Sequence, residues 1–118
     1  MSEIKQVRLI NMTPHEIIIY DQSGQNILFK IPPSNSVARV SVTQQKIAEI
    51  NGIPVFKTTY GKVENLPDPQ PNTIYIVSAL VLQALAGSRS DVVAPDTGTG
   101  AVRDASGKII GVKSFIVL

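Results

Sequence analysis

The sequence predicts an α+β fold: a compact, mostly antiparallel β-sheet domain with one short buried helix over about residues 78–87. Three observations predict it. A chain of 118 residues with 43% hydrophobic and 17% charged residues can bury one core, so residues 1–118 form a single domain. Short runs rich in Ile, Val, Phe and Tyr recur between Gly and Pro breaks, as β-strands do. A single run, beginning after Ser78 and stopping at Gly87, carries helix boundary signals at both ends.

The elements follow in order. Val7–Asn11 is a strand, broken at Thr13-Pro14, and Glu16–Asp21 is the next. The Ser23-Gly24 turn leads to a third strand, Asn26–Ile31, so a hairpin is the simplest connection. Pro32-Pro33 ends it, because neither residue has an N–H for the ladder. Ser36–Val42 alternates with period two, with Arg39 on the less apolar face. Gln44–Ile50 fits a short helix or a strand. The strand is favoured because Asn51-Gly52 and Ile53–Tyr60 then complete a second hairpin.

Tyr60–Thr73 holds three prolines at alternate positions from Pro67 to Pro71 and reads as an extended crossover. Thr73–Val77 is a strand, and Ala79–Gly87 is the helix, with Ser78 as N-cap and Gly87 as stop. Gln83 is the one polar side chain in it, so the helix is expected to be buried on several sides, by the sheet and by a second subunit. Asp91–Pro95 is a strand, Asp96–Gly107 a loop, and Lys108–Leu118 a final strand.

Charge and composition exclude several classes. The net charge is +2, without a basic run, so extended nucleic acid is not an expected partner. There is no cysteine and one histidine, which removes thiol chemistry, disulfides and a multi-histidine metal cluster within one chain. No cofactor is expected. The start MSEIKQVRLI lacks the pattern of a signal peptide. The apolar stretch Ile74–Ala86 is too short to span a bilayer, so a cytoplasmic protein with no membrane partner is expected. Low charge and high apolar content favour a homo-oligomer.

Four places could carry chemistry. At the strand–Ser78–helix junction, Ser78 caps its helix, and a helix N-terminus also suits phosphate. Between Ser88 and Asp104, Arg89 and Arg103 match phosphate oxygens, and Asp96, Thr97 and Asp104 match ribose hydroxyls or base edges. The same residues also describe a solvated loop with turn-forming aspartates. The triplet Asp96-Thr97-Gly98 is shared with retroviral aspartic proteases, although the rest of the chain is unlike them. Finally, His15 with Thr13, Pro14 and Glu16 either plugs a turn or meets a ligand. Tyr60 or Tyr75 could stack on a base.

The order of NMTPHEI, IPPSNSVARV, GIPVFKTTYGKVENLPDPQPNTIYIVS and RSDVVAPDTG…AVRDASGKIIGVKSF resembles a family of small phage and bacterial proteins with an N-terminal Asn-x-Thr-Pro-His signature. The resemblance runs from Leu9 to Phe115. By analogy of context, the chain is also similar in kind to phage sponges that sequester nucleotide immune signals of the Thoeris and CBASS defences. That analogy implies a non-enzymatic protein binding a cyclic ADP-ribose variant or a cyclic oligonucleotide. Arg103, Arg89 and Ser78 would serve the phosphates, and Asp96, Thr97, Asp104, His15, Thr13, Tyr60 and Tyr75 the remainder. The alternatives are an enzyme that cleaves such a signal, with His15 and an aspartate as acid–base pair, and an accessory or structural phage protein without a small ligand.

Overall fold

The computed structural model describes residues 7–118. Among them are ten strands and one helix: β1 (Arg8–Asn11), β2 (Ile17–Tyr20), β3 (Ile27–Ile31), β4 (Arg39–Ile50), β5 (Ile53–Glu64), β6 (Thr73–Ile76), α1 (Ala79–Leu85), β7 (Val92–Pro95), β8 (Ala101–Arg103), β9 (Ile109–Val112) and β10 (Phe115–Ile116). The reading of the leader rests mainly on residues 1–6, which lie outside the described residues.

The chain is mostly β with one short helix, and its sheets are mixed. One sheet runs β1-β6-β7-β10, a second runs β3-β2-β9-β8, and β4-β5 form a two-stranded ribbon. The pairs β1–β6, β6–β7 and β2–β9 are parallel. Four of the seven pairings among the described strands are antiparallel, so the mostly antiparallel expectation is refined to mixed sheets with a parallel centre, and the cause of that centre is local. β6, α1 and β7 form a strand–helix–strand unit, whose helix carries the chain back so that the second strand pairs parallel to the first.

Alternation along β6 and β7 makes the first sheet a middle layer. Tyr75, Val77, Val92 and Ala94 pack with Met12, Ala38, Val81 and Leu82 in one buried cluster on the helix side. Ile76 joins Ile17, Ile19 and Val112 in another, facing the second sheet, with Val93 and Phe115 against it. Side chains two apart share a sheet face, so successive residues of these strands serve two different cores.

The boundaries refine several expectations. Ser78 caps α1, accepting from the Val81 N–H at 3.3 Å, and the helix ends at Leu85 with Ala86 in the left-handed region just before Gly87. Only Val81 and Leu82 of the helix are buried, whereas Ala79, Leu80 and Gln83 face outward. Burial on several sides is therefore not found within one chain. The Asp96–Gly107 loop contains β8, and the expected final strand divides at Lys113-Ser114 into β9 and β10, which belong to different sheets.

The ribbon accounts for the shape. β4 and β5 are each twelve residues long and pair antiparallel around Asn51-Gly52, both with positive φ, as a tight hairpin turn requires. Val40 and Val63 anchor its base against the helix-side core, and the Tyr60 hydroxyl donates to Gln83 Oε1 on α1. Beyond that the arm projects. The radius of gyration is 16.6 Å, against roughly 13–14 Å for a compact chain of this length. The expected compactness is corrected accordingly.

Candidate functional site

The Asn-Met-Thr-Pro-His segment begins at Asn11, the last residue of β1. Asn11 is 1% exposed and bonds in four directions. Its amide donates to the carbonyl oxygens of His15 (2.8 Å) and Ile31 (3.0 Å). Its Oδ1 accepts from the Thr13 N–H (2.9 Å) and the Thr13 hydroxyl (2.7 Å). Thr13 Oγ1 also lies 3.1 Å from the His15 carbonyl. Every polar atom of the buried Asn11 side chain is used, which is what burial of an amide demands. The backbone of Asn11 and Met12 is stitched to the following segment, accepting from the Ser34 and Ala38 N–H groups.

This closed knot fixes the turn and leaves Pro14, His15 and Glu16 exposed. The turn separates two clefts. The first, of about 320 Å³, is lined by Thr13, His15, Glu16, Ile17 and Ile18 on one side and by Pro95, Thr97 and Ile109–Val112 on the other. It is largely apolar, with polar groups concentrated at His15, Glu16 and Thr97. The second, of about 440 Å³, lies between the turn, the base of the arm and the start of α1. Thr13, Pro14, Arg39, Ser41, Glu64, Ser78 and Leu80 are among its lining.

Topology places both clefts together. β1 and β7 flank β6, and all three run parallel. Thr13 and His15 follow the carboxyl end of β1, Ser78 follows that of β6, and Thr97 follows that of β7. In open sheets with parallel strands, ligands bind in the crevice outside the carboxyl ends.

The other expected site residues are placed elsewhere, each with a local partner. Arg89 grips Asp91 through two 2.8 Å bonds and donates to the Pro67 carbonyl at 2.9 Å, tying the proline-rich crossover to the start of β7. Its grip holds the Asp91 carboxyl below the usual range. Arg89 lines a third cleft, of about 240 Å³, with Leu82, Leu85 and Leu118. Arg103 donates to the Gly107 carbonyl at 2.7 Å. Asp104 accepts from the Ser106 hydroxyl and from the Ser106 and Lys108 N–H groups, which lower its pKa, the Ser106 bond most. Both residues thus organise the β8–β9 turn. Asp96 accepts from the Gly98 N–H and from the hydroxyls of Thr99 and Ser114. Tyr75 is 1% exposed and donates to the Asp68 carbonyl, so of the two tyrosines only Tyr60 keeps an open side.

Four of the ten expected residues, Thr13, His15, Ser78 and Thr97, therefore come together around one turn. Arg103, Asp104, Asp96, Tyr60 and Tyr75 line none of the three clefts. Glu16, read beside His15 in the sequence, joins them in the first cleft, and two residues that the sequence reading did not assign to a site complete the set: Asn11 as the knot and Arg39 in the second cleft. The alternation of Ser36–Val42 already put Arg39 on the less apolar face, but nothing local said that face would meet Ser78. Among the described residues no group of three His, Cys, Asp or Glu side chains could hold a metal ion, and no helix is long and apolar enough to cross a membrane. No family model, curated protein or solved structure matches the chain.

Proposed function

We propose that the chain is a non-enzymatic phage protein that binds and sequesters a nucleotide-derived signal at the carboxyl ends of β1, β6 and β7. The observation that carries this reading is the convergence of Thr13, His15, Ser78 and Thr97 on two clefts that share one turn. In this reading the base and ribose enter the His15 cleft. Its apolar floor of Ile17, Ile109 and Ile110 accepts a flat ring, and His15, Glu16 and Thr97 supply hydrogen bonds at the edge.

Phosphate belongs on the other side of the turn. Arg39 lines the second cleft, and an arginine fork suits phosphate oxygens. Ser78 uses its oxygen as an acceptor for Val81, which leaves the hydroxyl proton to donate. The phosphate role thereby passes from Arg89 and Arg103, whose guanidinium groups hold local structure, to Arg39. The ligand class is a cyclic ADP-ribose variant or a cyclic oligonucleotide, each of which joins a base to more than one phosphate.

Calorimetric titration with cyclic ADP-ribose isomers, cyclic dinucleotides and the free nucleosides tests the proposal. His15→Ala weakens nucleoside and nucleotide alike, whereas Arg39→Ala weakens only the phosphorylated ligand. Heat then releases the ligand unchanged. A second reading, cleavage of the signal, is favoured by His15 and Glu16 lining the same cleft. It is distinguished by release of a degraded product whose formation His15→Ala abolishes. No binding of any of these compounds at millimolar concentration refutes both readings.

A further inference from the structure

We infer that the β4–β5 ribbon is a dimerisation arm, whose distal half is buried against the same half of a second copy of this chain. The argument begins with stability. A two-stranded ribbon with water on both faces is marginal on its own. Here the base is held by Val40, Val63 and Tyr60, yet every residue from Ser41 to Pro54 is exposed, as are those from Phe56 to Thr59.

The apolar residues of the arm are not spread along it. Its middle rungs pair Thr43 with Thr59, Gln44 with Thr58 and Gln45 with Lys57. The last rungs pair Ala48 with Val55 and Ile50 with Ile53, and cross-strand partners share a face. A ladder irregularity beside Ile47 twists this end relative to the middle. At the end, Ile47, Ile50, Ile53 and Phe56 are 60, 61, 65 and 50% exposed. A solvated arm would keep polar residues there; this one concentrates large aliphatic and aromatic side chains where its own fold cannot reach them.

Area and charge together select a second copy as the occupant. With a fully exposed large side chain presenting on the order of 200 Å², Ile47, Ile50, Ile53 and Phe56 together offer on the order of 450 Å² of apolar surface. It is spread over both faces of the tip, with Ile50 and Ile53 on one and Phe56, opposite Lys46, on the other. An exposed apolar cluster of this size marks an interaction site. Two tips that clasp each other over both faces remove up to about 900 Å² of apolar surface, near the roughly 1,000 Å² floor for a specific interface once polar atoms are added. The tip bears one lysine and one glutamate, Lys46 and Glu49, which pair with each other in the arm. A surface with one charge of each sign meets its own copy about a two-fold axis without like-charge repulsion.

Sedimentation and light scattering of the full chain between 1 and 100 µM test the inference. The expected species at high concentration has twice the 12.7 kDa chain mass. Ile50→Lys with Ile53→Lys should weaken association by at least roughly a hundredfold, since four lysines then face one another in the interface. Those side chains are exposed in the single chain, so far-UV circular dichroism of the double variant should match the parent. Amide exchange on the unaltered chain supplies an independent reading. Arm amides from Thr43 to Thr58 should exchange faster on dilution below the dissociation constant, while those of β6 and β7 stay protected. A monomer at 100 µM overturns the inference. So does a dimer that survives both substitutions, or arm exchange that ignores concentration.

Discussion

Replacing Asn11 by alanine removes four hydrogen bonds from a side chain that is 1% exposed. Two of the groups left behind have substitutes. The Thr13 hydroxyl can still donate to the His15 carbonyl, and that carbonyl keeps this donor. The Thr13 N–H and the outward lone pair of the Ile31 carbonyl lose the partner that Asn11 provided. An unmade buried bond costs about 1–3 kcal/mol, so the variant should lose about 3 kcal/mol of stability. That is a large share of the roughly 5–15 kcal/mol typical of a domain. It corresponds to a fall of about 10–15 °C in Tm for a chain of this size. Asn11→Asp should be no better, because a carboxylate keeps the acceptor for Thr13 and turns a second oxygen toward two carbonyls. Thr13→Val, which keeps the N–H and loses only the hydroxyl, should lose about 1 kcal/mol. Urea unfolding followed by circular dichroism, with thermal melts in parallel, measures all three. An Asn11→Ala loss under about 1 kcal/mol, or an Asn11→Asp protein as stable as the parent, would show that the Asn11 bonds do not hold the turn.

Further outcomes follow from other contacts. Arg89→Ala should destabilise by about 1–2 kcal/mol while leaving ligand affinity intact, a split visible by comparing urea midpoints with calorimetry. Asp91, held low chiefly by Arg89, and Asp21, held at about 2 chiefly by the Ser23 hydroxyl and the Asn26 amide, both have depressed folded values. Their stabilisation is complete above the unfolded aspartate pKa near 4 and is lost as pH falls through the folded values. The urea midpoint should therefore drop between about pH 4 and pH 2, and the Asp91 part of that drop should vanish in Arg89→Ala. Gly111→Ala should destabilise by about 1–3 kcal/mol in the same assay. An added Cβ would stand 2.5 Å from a Tyr20 ring carbon and 2.6 Å from the Ile18 carbonyl oxygen.

Local chemistry made much of the fold legible. The Asn51-Gly52 turn, the Ser78 cap and the proline crossover each rest on residues within a few positions of one another, and each appears where those residues are. The sheet plan depends on longer range. β2 joins β9 through Ile19 and Val112, more than ninety residues apart. No periodicity in either strand announces that pairing. The parallel centre could have been inferred, since a strand, a capped helix and another strand lie within Thr73–Pro95.

At the site, the sequence marked the turn but not its linchpin. Asn11 reads as the polar end of an apolar strand, and its partner at Ile31 becomes a neighbour only after β3 returns. In the charge-rich stretch from Ser88 to Asp104 the side chains are engaged locally, for a physical reason. Aspartates followed two residues later by Gly or Ser bond their own turns, as Asp96 does with Gly98 and Asp104 with Ser106. Arg89 finds Asp91 in the same way. Composition counts such groups as available to a ligand, whereas local geometry has already paired them.

In the proposed function, the turn knotted by Asn11 presents His15 to a nucleotide-derived ligand. The chain has one histidine, so the Hε1 resonance of its ring, coupled to both ring nitrogens in a nitrogen-correlated spectrum, is assigned without ambiguity. Titration with the cyclic ADP-ribose isomers and cyclic dinucleotides should shift that resonance saturably, with the same dissociation constant that calorimetry reports. A ligand that binds by calorimetry while leaving the His15 resonance unmoved would contradict the account.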